Sequence, residues 1–311
     1  MLSGSVIFYK IAAMCLLIFV GFLSRRMKLV PENLLSALAR FILSVATPCY
    51  ILYNIPRSVN RESLAVSWHF PLLGLGLAAF CDLLAWASAR LLARPAVRPT
   101  FRFLAAFPNW VFLAMAVIEP LFGADGARVV LLFNVGITAY IWSLGMTGFK
   151  KGLGLNMVKN AFLNLQVIAT AVGVGLALAV PFLGAAHALP VAELAGLPFH
   201  LGAATAAWEA VTLAGSTALP LSIFQIGLRL AESREEAATA GPTGRSGNRE
   251  LFACSAVRLI LGPVLVVFAL AILARLSLPL TQNEFLISAL IFAMPTAVTS
   301  MTVTDVYGGD T

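Results

Sequence analysis

Charge is what this sequence has least of. Asp, Glu, Lys and Arg make up 11% of its 311 residues, where a soluble domain carries about 25%. That shortfall excludes an ordinary water-soluble fold, because 60% of the residues are hydrophobic and the mean hydropathy is +0.91. Histidine is scarce as well. His69, His187 and His200 stand far apart near expected span ends and read as interfacial, with no metal cluster among them. Cys15, Cys49, Cys81 and Cys254 show no metal-ligand spacing and fall inside apolar segments, as small buried apolar residues do. The chain has no phosphate-binding glycine loop and no Ser/His pair placed for nucleophilic work. Its start lacks a basic cluster, and Lys10 interrupts the first apolar run, so the N-terminus reads as a span and not as a secretory signal.

What is present is a succession of apolar runs. A membrane span needs about 20 mostly apolar residues. Nine runs qualify: 5–23, 34–55, 65–92, 101–121, 127–149, 164–184, 200–230, 251–277 and 284–306. The expectation is an all-α polytopic membrane protein with most of its mass in the bilayer. The net charge of +7 then needs no nucleic-acid partner, since the cations sit in short loops. With the N-terminus outside, the loops that face the cytoplasm hold fourteen Lys and Arg residues and the outer loops hold four, as the positive-inside rule requires. The longest polar stretch, 232–250, reads as a flexible cytoplasmic loop. Lys150–Asn160, with Gly152 and Gly154, reads as a short interfacial segment. The Ala- and Arg-rich composition and short loops point to a bacterial inner membrane.

Prolines interrupt four of these runs in a pattern. Leu43-Ser-Val-Ala-Thr-Pro-Cys-Tyr-Ile-Leu52 in the second run matches Gly215-Ser-Thr-Ala-Leu-Pro-Leu-Ser-Ile-Phe224 in the seventh. Pro108 breaks the fourth and Pro295 the ninth. The shift is five spans, an odd number, so the two halves must insert with opposite orientation. This predicts inverted five-helix repeats over 1–149 and 150–311. A proline inside a helix frees a carbonyl four residues back, and in lipid that group must be satisfied by protein, water or ligand. Paired interrupted helices therefore mark a substrate site. The second half of each broken helix starts with free N–H groups and a positive dipole end, which favours an anion.

The candidate ligand contacts are Pro108, Asn109, Pro295, Thr296, Thr299 and Ser300, with Asn134 in the fifth run. The Asn109 amide can donate to a carboxylate. The hydroxyls after Pro295 either donate to a ligand or bond back to helix carbonyls. Asn134 and Gln225 are as able to bridge helices as to touch substrate. Asp82 is a carboxylate inside a span, which makes it a candidate proton carrier or a member of a structural ion pair, with Lys10 and Arg40 as candidate cation partners. Tyr307-Gly-Gly-Asp310 approaches the glycine-aspartate motif of intramembrane aspartyl proteases. It lacks the first glycine, and no second catalytic aspartate is well placed, so the reading is not an enzyme.

These residues together resemble a known family. Asn33-Leu-Leu-Ser-Ala-Leu-Ala-Arg-Phe-Ile-Leu-Ser-Val-Ala-Thr-Pro48 resembles the second helix of auxin efflux carriers. Pro108-Asn109 with Glu119-Pro-Leu-Phe-Gly123 resembles their fourth, Leu219–Ala231 their seventh, Arg258-Leu-Ile-Leu-Gly-Pro263 their eighth, and Met294-Pro-Thr-Ala-Val298 with Tyr307–Asp310 their ninth. The resemblance implies a ten-helix fold within the bile acid/auxin carrier superfamily, with a scaffold domain and a transport domain. It implies that helices 4 and 9 cross at their proline breaks, with Pro108, Asn109, Pro295 and Thr296 bordering the substrate and Asp82 and Asn134 near polar support positions. The tenth helix would begin where this sequence ends, at Thr311. Here Asn109 is followed by bulky Trp110, a departure that narrows the site. The implied function is alternating-access transport of a small carboxylate, malate- or malonate-like or auxin-like. Coupling stays open between H+, Na+ and uniport down the membrane potential, which favours anion export by about 2.3 kcal/mol per charge per 100 mV. No other cofactor is called for, and a homodimer is one open arrangement. The alternative is a ligand sensor or scaffold that keeps the carrier fold without transporting.

Overall fold

The computed structural model describes residues 4–31, 33–145, 165–179, 199–239, 248–276, 280–297 and 300. The described chain is helical: α1 Gly4–Arg26, α2 Leu34–Ser58, α3 Arg61–Ser67, α4 His69–Leu92, α5 Arg98–Ala106, α6 Phe112–Ser143, α7 Leu165–Ala179, α8 Phe199–Ser216, α9 Ala218–Thr239, α10 Arg249–Arg275 and α11 Gln282–Ala293. Long aliphatic runs with few charges explain the helices. Leu34–Ser58, His69–Leu92, Gly202–Glu235 and Arg249–Arg275 are long and apolar enough to cross a membrane, and α7 and α11 are shorter apolar helices. The expected run 101–121 is two helices with a break between them, and the run 284–306 is helical only to Ala293 before its own break. α6 joins the end of the fourth run to the fifth through a kink at Gly123, whose φ of 65° suits a residue without a Cβ.

Two of the long helices contain a single wide π turn, at Ile42–Ala46 in α2 and Val257–Leu261 in α10. Each lies just ahead of a proline, Pro48 and Pro263. A proline would press its ring on the carbonyl four residues back. In both places the chain bonds one residue further instead: the Thr47 N–H donates to the Ile42 carbonyl and the Gly262 N–H to that of Val257. The π turn thus accommodates the ring without ending the helix.

The helices pack in two sets. α1, α2, α7, α8 and α9 lie on one another, as do α4, α5, α6, α10 and α11, and contact between the sets runs chiefly through α6. Each set mixes elements from both halves of the sequence. Glycines allow the closest approaches. A Cβ on Gly227 of α9 would stand 2.0 Å from the Ile18 carbonyl oxygen of α1, and one on Gly21 of α1 would stand 2.2 Å from that of Phe224. Gly136 of α6 meets the backbone of Pro71, and Gly74 of α4 meets that of Phe133, in the same reciprocal way. Backbone-to-backbone contact of this kind is how helices gain packing energy where lipid supplies no hydrophobic drive.

At one end of the bundle the charges link the two sequence halves. Arg25 at the end of α1 reaches Glu235 at 3.5 Å, and Arg229 holds Glu232 at 2.7 Å. Arg94, just past α4, bonds Glu250 at the start of α10 at 2.6 Å.

Candidate functional site

The two proline breaks face each other. α5 stops at Ala106 and α6 starts at Phe112, while α11 stops at Ala293. The residues in between are extended and pair as a short antiparallel bridge between Pro108 and Thr296. The Asn109 N–H donates to the Pro295 carbonyl (2.7 Å), and the Ala297 N–H donates to the Phe107 carbonyl (3.4 Å). Proline explains the form of the break. It has no N–H to give, so Pro108 and Pro295 can leave their helices, and the neighbouring N–H groups find carbonyls on the opposite strand.

The C-terminal end of α5 is fully accounted for. The last carbonyls of a helix have no partner within it. Here the Phe107 N–H donates to the Phe103 carbonyl (3.2 Å) and the Thr296 hydroxyl to that of Leu104 (3.0 Å). Nη1 of Arg258 donates to the Ala105 and Ala106 carbonyls (3.4 and 3.1 Å). Nη2 of the same arginine donates to the Phe292 carbonyl at the end of α11. Thr296 therefore serves the backbone of the neighbouring half-helix, not its own helix as one of its two expected roles had it.

On the other side of the breaks lies a pocket. It is lined by Leu43 and Thr47 of α2, Gln166 of α7, Phe103 of α5, Asn109–Phe112 at the first break, Asn134, Ile141 and Trp142 of α6, and Ala297 and Ser300 at the second. Its empty space is about 560 Å³ including the open mouth. The pocket sits between the two helix sets, and its walls are aromatic and aliphatic with a few amides and hydroxyls. Asn109 caps α6: its Oδ1 accepts from the Leu113 N–H (3.5 Å) and its carbonyl from the Ala114 N–H (3.4 Å). Asn134, 1% exposed, accepts at Oδ1 from Trp110 Nε1 (2.8 Å) and from the Thr138 hydroxyl (2.9 Å). Its Nδ2 is buried without a partner, as is the Thr47 hydroxyl. A buried donor without an acceptor costs about 1–3 kcal/mol, so these two groups are poised to meet an acceptor that enters the pocket.

The structure brings Pro108, Asn109, Asn134, Pro295, Thr296 and Ser300 to one place, with Pro295 and Thr296 contributing through backbone pairing and the α5 carbonyl. Thr299 lies outside the described residues, as does the Lys10 side chain. The expectation for Asp82 needs correcting. Its cation is Arg102, which donates from Nε to Oδ1 (2.6 Å) and from Nη2 to Oδ2 (2.5 Å), and the Tyr140 hydroxyl adds a third bond to Oδ2 (2.8 Å). Arg40 is exposed on α2. Arg102 belongs to the half-helix α5. The bidentate pair plus phenol ties α4, α5 and α6 together just beneath the break. Such a carboxylate has three of its roughly four acceptor sites taken, two of them by a guanidinium, which suits a structural pair better than a free proton carrier.

Arg258, Arg102, Thr47 and Trp110 were not chosen from the sequence as site residues. For Arg258 one signal was available: an arginine inside a run apolar enough to span, where a cation needs a reason to be.

A family model described as a membrane transport protein matches residues 6–167 and 191–311. No curated protein matches the chain.

Proposed function

The chain belongs to this membrane transport protein family, the group its auxin-efflux-carrier-like motifs resemble, and from that premise we propose that it is a secondary carrier for a small organic carboxylate, malate- or malonate-like or auxin-like, bound where the two broken helices meet. The observation that carries the proposal is the pocket at the paired breaks. It lies between two helix sets, contains unpartnered buried donors at Asn134 and Thr47, and is lined by no charged side chain among the described residues. The start of α6 brings a positive dipole end to it. Because Asn109 Oδ1 caps α6, its amide N–H₂ is the end left for a ligand oxygen. Donors without a resident acidic group favour an anion over a cation or a sugar.

The packing in two helix sets supports alternating access as the mode of transport. Relative motion is the default where two bodies share a modest interface. α4, α5, α6, α10 and α11 would move as the transport body against α1, α2, α7, α8 and α9, carrying the breaks and their ligand with them. The reading of two inverted five-helix repeats agrees with this, since it places one broken helix from each half at one point.

The test is uptake of radiolabelled malonate, malate and indole-3-acetate into proteoliposomes, with and without an imposed pH or sodium gradient, for the full-length protein beside Asn109→Ala and Asn134→Ala. Saturable uptake with a raised KM in both variants supports the site. Unchanged KM in both would remove the breaks from substrate binding. Binding of a carboxylate by folded protein without uptake would favour the sensor reading.

A further inference from the structure

Two half-helices end at the same place. α5 and α11 both run toward the breaks, and the carbonyls of Ala105, Ala106 and Phe292 converge on one guanidinium. The C-terminal end of a helix carries the equivalent of about −0.5 of an elementary charge, so two such ends come to about −1. Arg258 supplies +1. It is 2% exposed, and among the described residues it forms no ion pair with a carboxylate. A buried cation without a counter-ion is costly, and here the helix ends take the counter-ion's place. In carriers with discontinuous helices, half-helix C-terminal ends and unwound carbonyls are the groups that coordinate small cations.

The position of Arg258 is also built into the backbone. It lies within the π turn Val257–Leu261, and π turns recur at functional sites. The wide turn shifts the following helix by one residue and so sets which side chain of α10 faces the junction. The Nε–H has no partner, so the three backbone carbonyls, with the buried Cys81 thiol beside them, orient the guanidinium.

We propose that Arg258 is a tethered cation filling a carbonyl-lined cation site at the junction of the two broken helices, where it fixes the geometry of the breaks, and that the emptied site takes up a small free monovalent cation, guanidinium foremost. Arg258 touches no pocket-lining surface, so it is a positioning residue and acts through the breaks. The transport readout below rests on the carrier reading; the stability readout does not.

The experiment compares the wild-type protein with Arg258→Ala, Arg258→Gln and Arg258→Lys. Thermal unfolding of each purified protein is followed in detergent with millimolar guanidinium, sodium, potassium or choline at constant ionic strength. Carboxylate uptake is measured in the same four cations. The expected result is a wild type indifferent to the cation and a lysine variant close to it. The alanine and glutamine variants melt lower, with a KM raised about tenfold or more, the effect of losing a charge-assisted hydrogen bond. Guanidinium, and not choline, restores both properties in them. If Arg258→Ala does not fold, the glutamine and lysine pair carries the comparison. A lysine variant as impaired as the glutamine one, or equal responses to guanidinium and choline, would overturn the proposal. So would glutamine and alanine variants that match the wild type. If the wild type transports none of the carboxylates, the carrier reading fails, while the cation-selective melting still decides the role of Arg258.

Discussion

Replacing Arg102 by methionine tests the structure at its most loaded point. The substitution keeps the length and apolar stem and removes two charge-assisted hydrogen bonds to Asp82, which stays buried with the Tyr140 hydroxyl still bonded to Oδ2. Removing one partner of a buried pair costs about 3–5 kcal/mol, because the other charge stays buried. Asp82→Asn should cost less. The charge that loses a partner in that case is on Arg102, whose side chain is 20% exposed against 2% for Asp82. The double variant Asp82→Asn/Arg102→Met removes both charges and should cost less than Arg102→Met alone. The coupling energy between the two positions should therefore be about 2–3 kcal/mol, the upper part of the range for residues in one network. The assay is the unfolding midpoint of the four purified proteins, read by tryptophan fluorescence. Effects that add within about 0.5 kcal/mol, as they do for independent sites, would refute the pairing. The same proteins discriminate the two roles open to Asp82. A structural pair leaves any pH-gradient dependence of uptake intact in the double variant, whereas a proton-carrying Asp82 would abolish it.

Four further outcomes follow from local packing and hydrogen bonds. Thr296→Val leaves the Leu104 carbonyl without its donor and should cost about 1–3 kcal/mol, with a lower melting point that Thr296→Ser largely recovers. Gly227→Ala drives a Cβ to 2.0 Å from the Ile18 carbonyl and should separate α1 from α9, lowering the melting point. Gly76→Ala, with nothing within 4 Å of its added Cβ, should be neutral or stabilising by up to about 1 kcal/mol. Trp110→Phe removes the indole bond to Asn134 Oδ1 and should shift the KM for the carboxylate while leaving the melting point within a few degrees; an unchanged KM would detach Trp110 from the pocket.

Local chemistry made much of this architecture legible. Pro108 and Pro295 announce breaks because proline cannot give an N–H, and Asn109 beside one of them announces a polar role. Asp82 stands out as a carboxylate in an apolar run. Its partner does not. Arg102 follows Arg90, Arg94 and Arg98 in what reads as a basic loop, and only the early start of α5 at Arg98 lifts it into the bundle. Arg258 was hidden for a different reason. Its partners are backbone carbonyls, which every sequence has, so no residue type could point to them. His69 is the first residue of α4, at a helix end as expected, and its side chain is buried against Phe70, with ring centres 4.3 Å apart. The reading of 232–250 as a loop is corrected at both ends, because α9 runs on to Thr239 and the next helix is under way at Asn248; 240–247, Lys150–Asn160 and Tyr307–Asp310 lie outside the described residues.

The π turns have a consequence for how this chain can change length. A residue lost from an exposed loop alters nothing downstream but the loop. A residue lost from Ile42–Ala46 or Val257–Leu261 would close the wide turn into an ordinary one, whereas a residue lost from the ordinary turns on either side would rotate everything beyond it by about 100°. In α10 the closure would return the Pro263 ring to the carbonyl it now avoids. These two turns act as phase keys. The helices on either side can be lengthened or trimmed at their ends, but the count of residues between turn and proline is fixed by the angle at which each half must face the bundle.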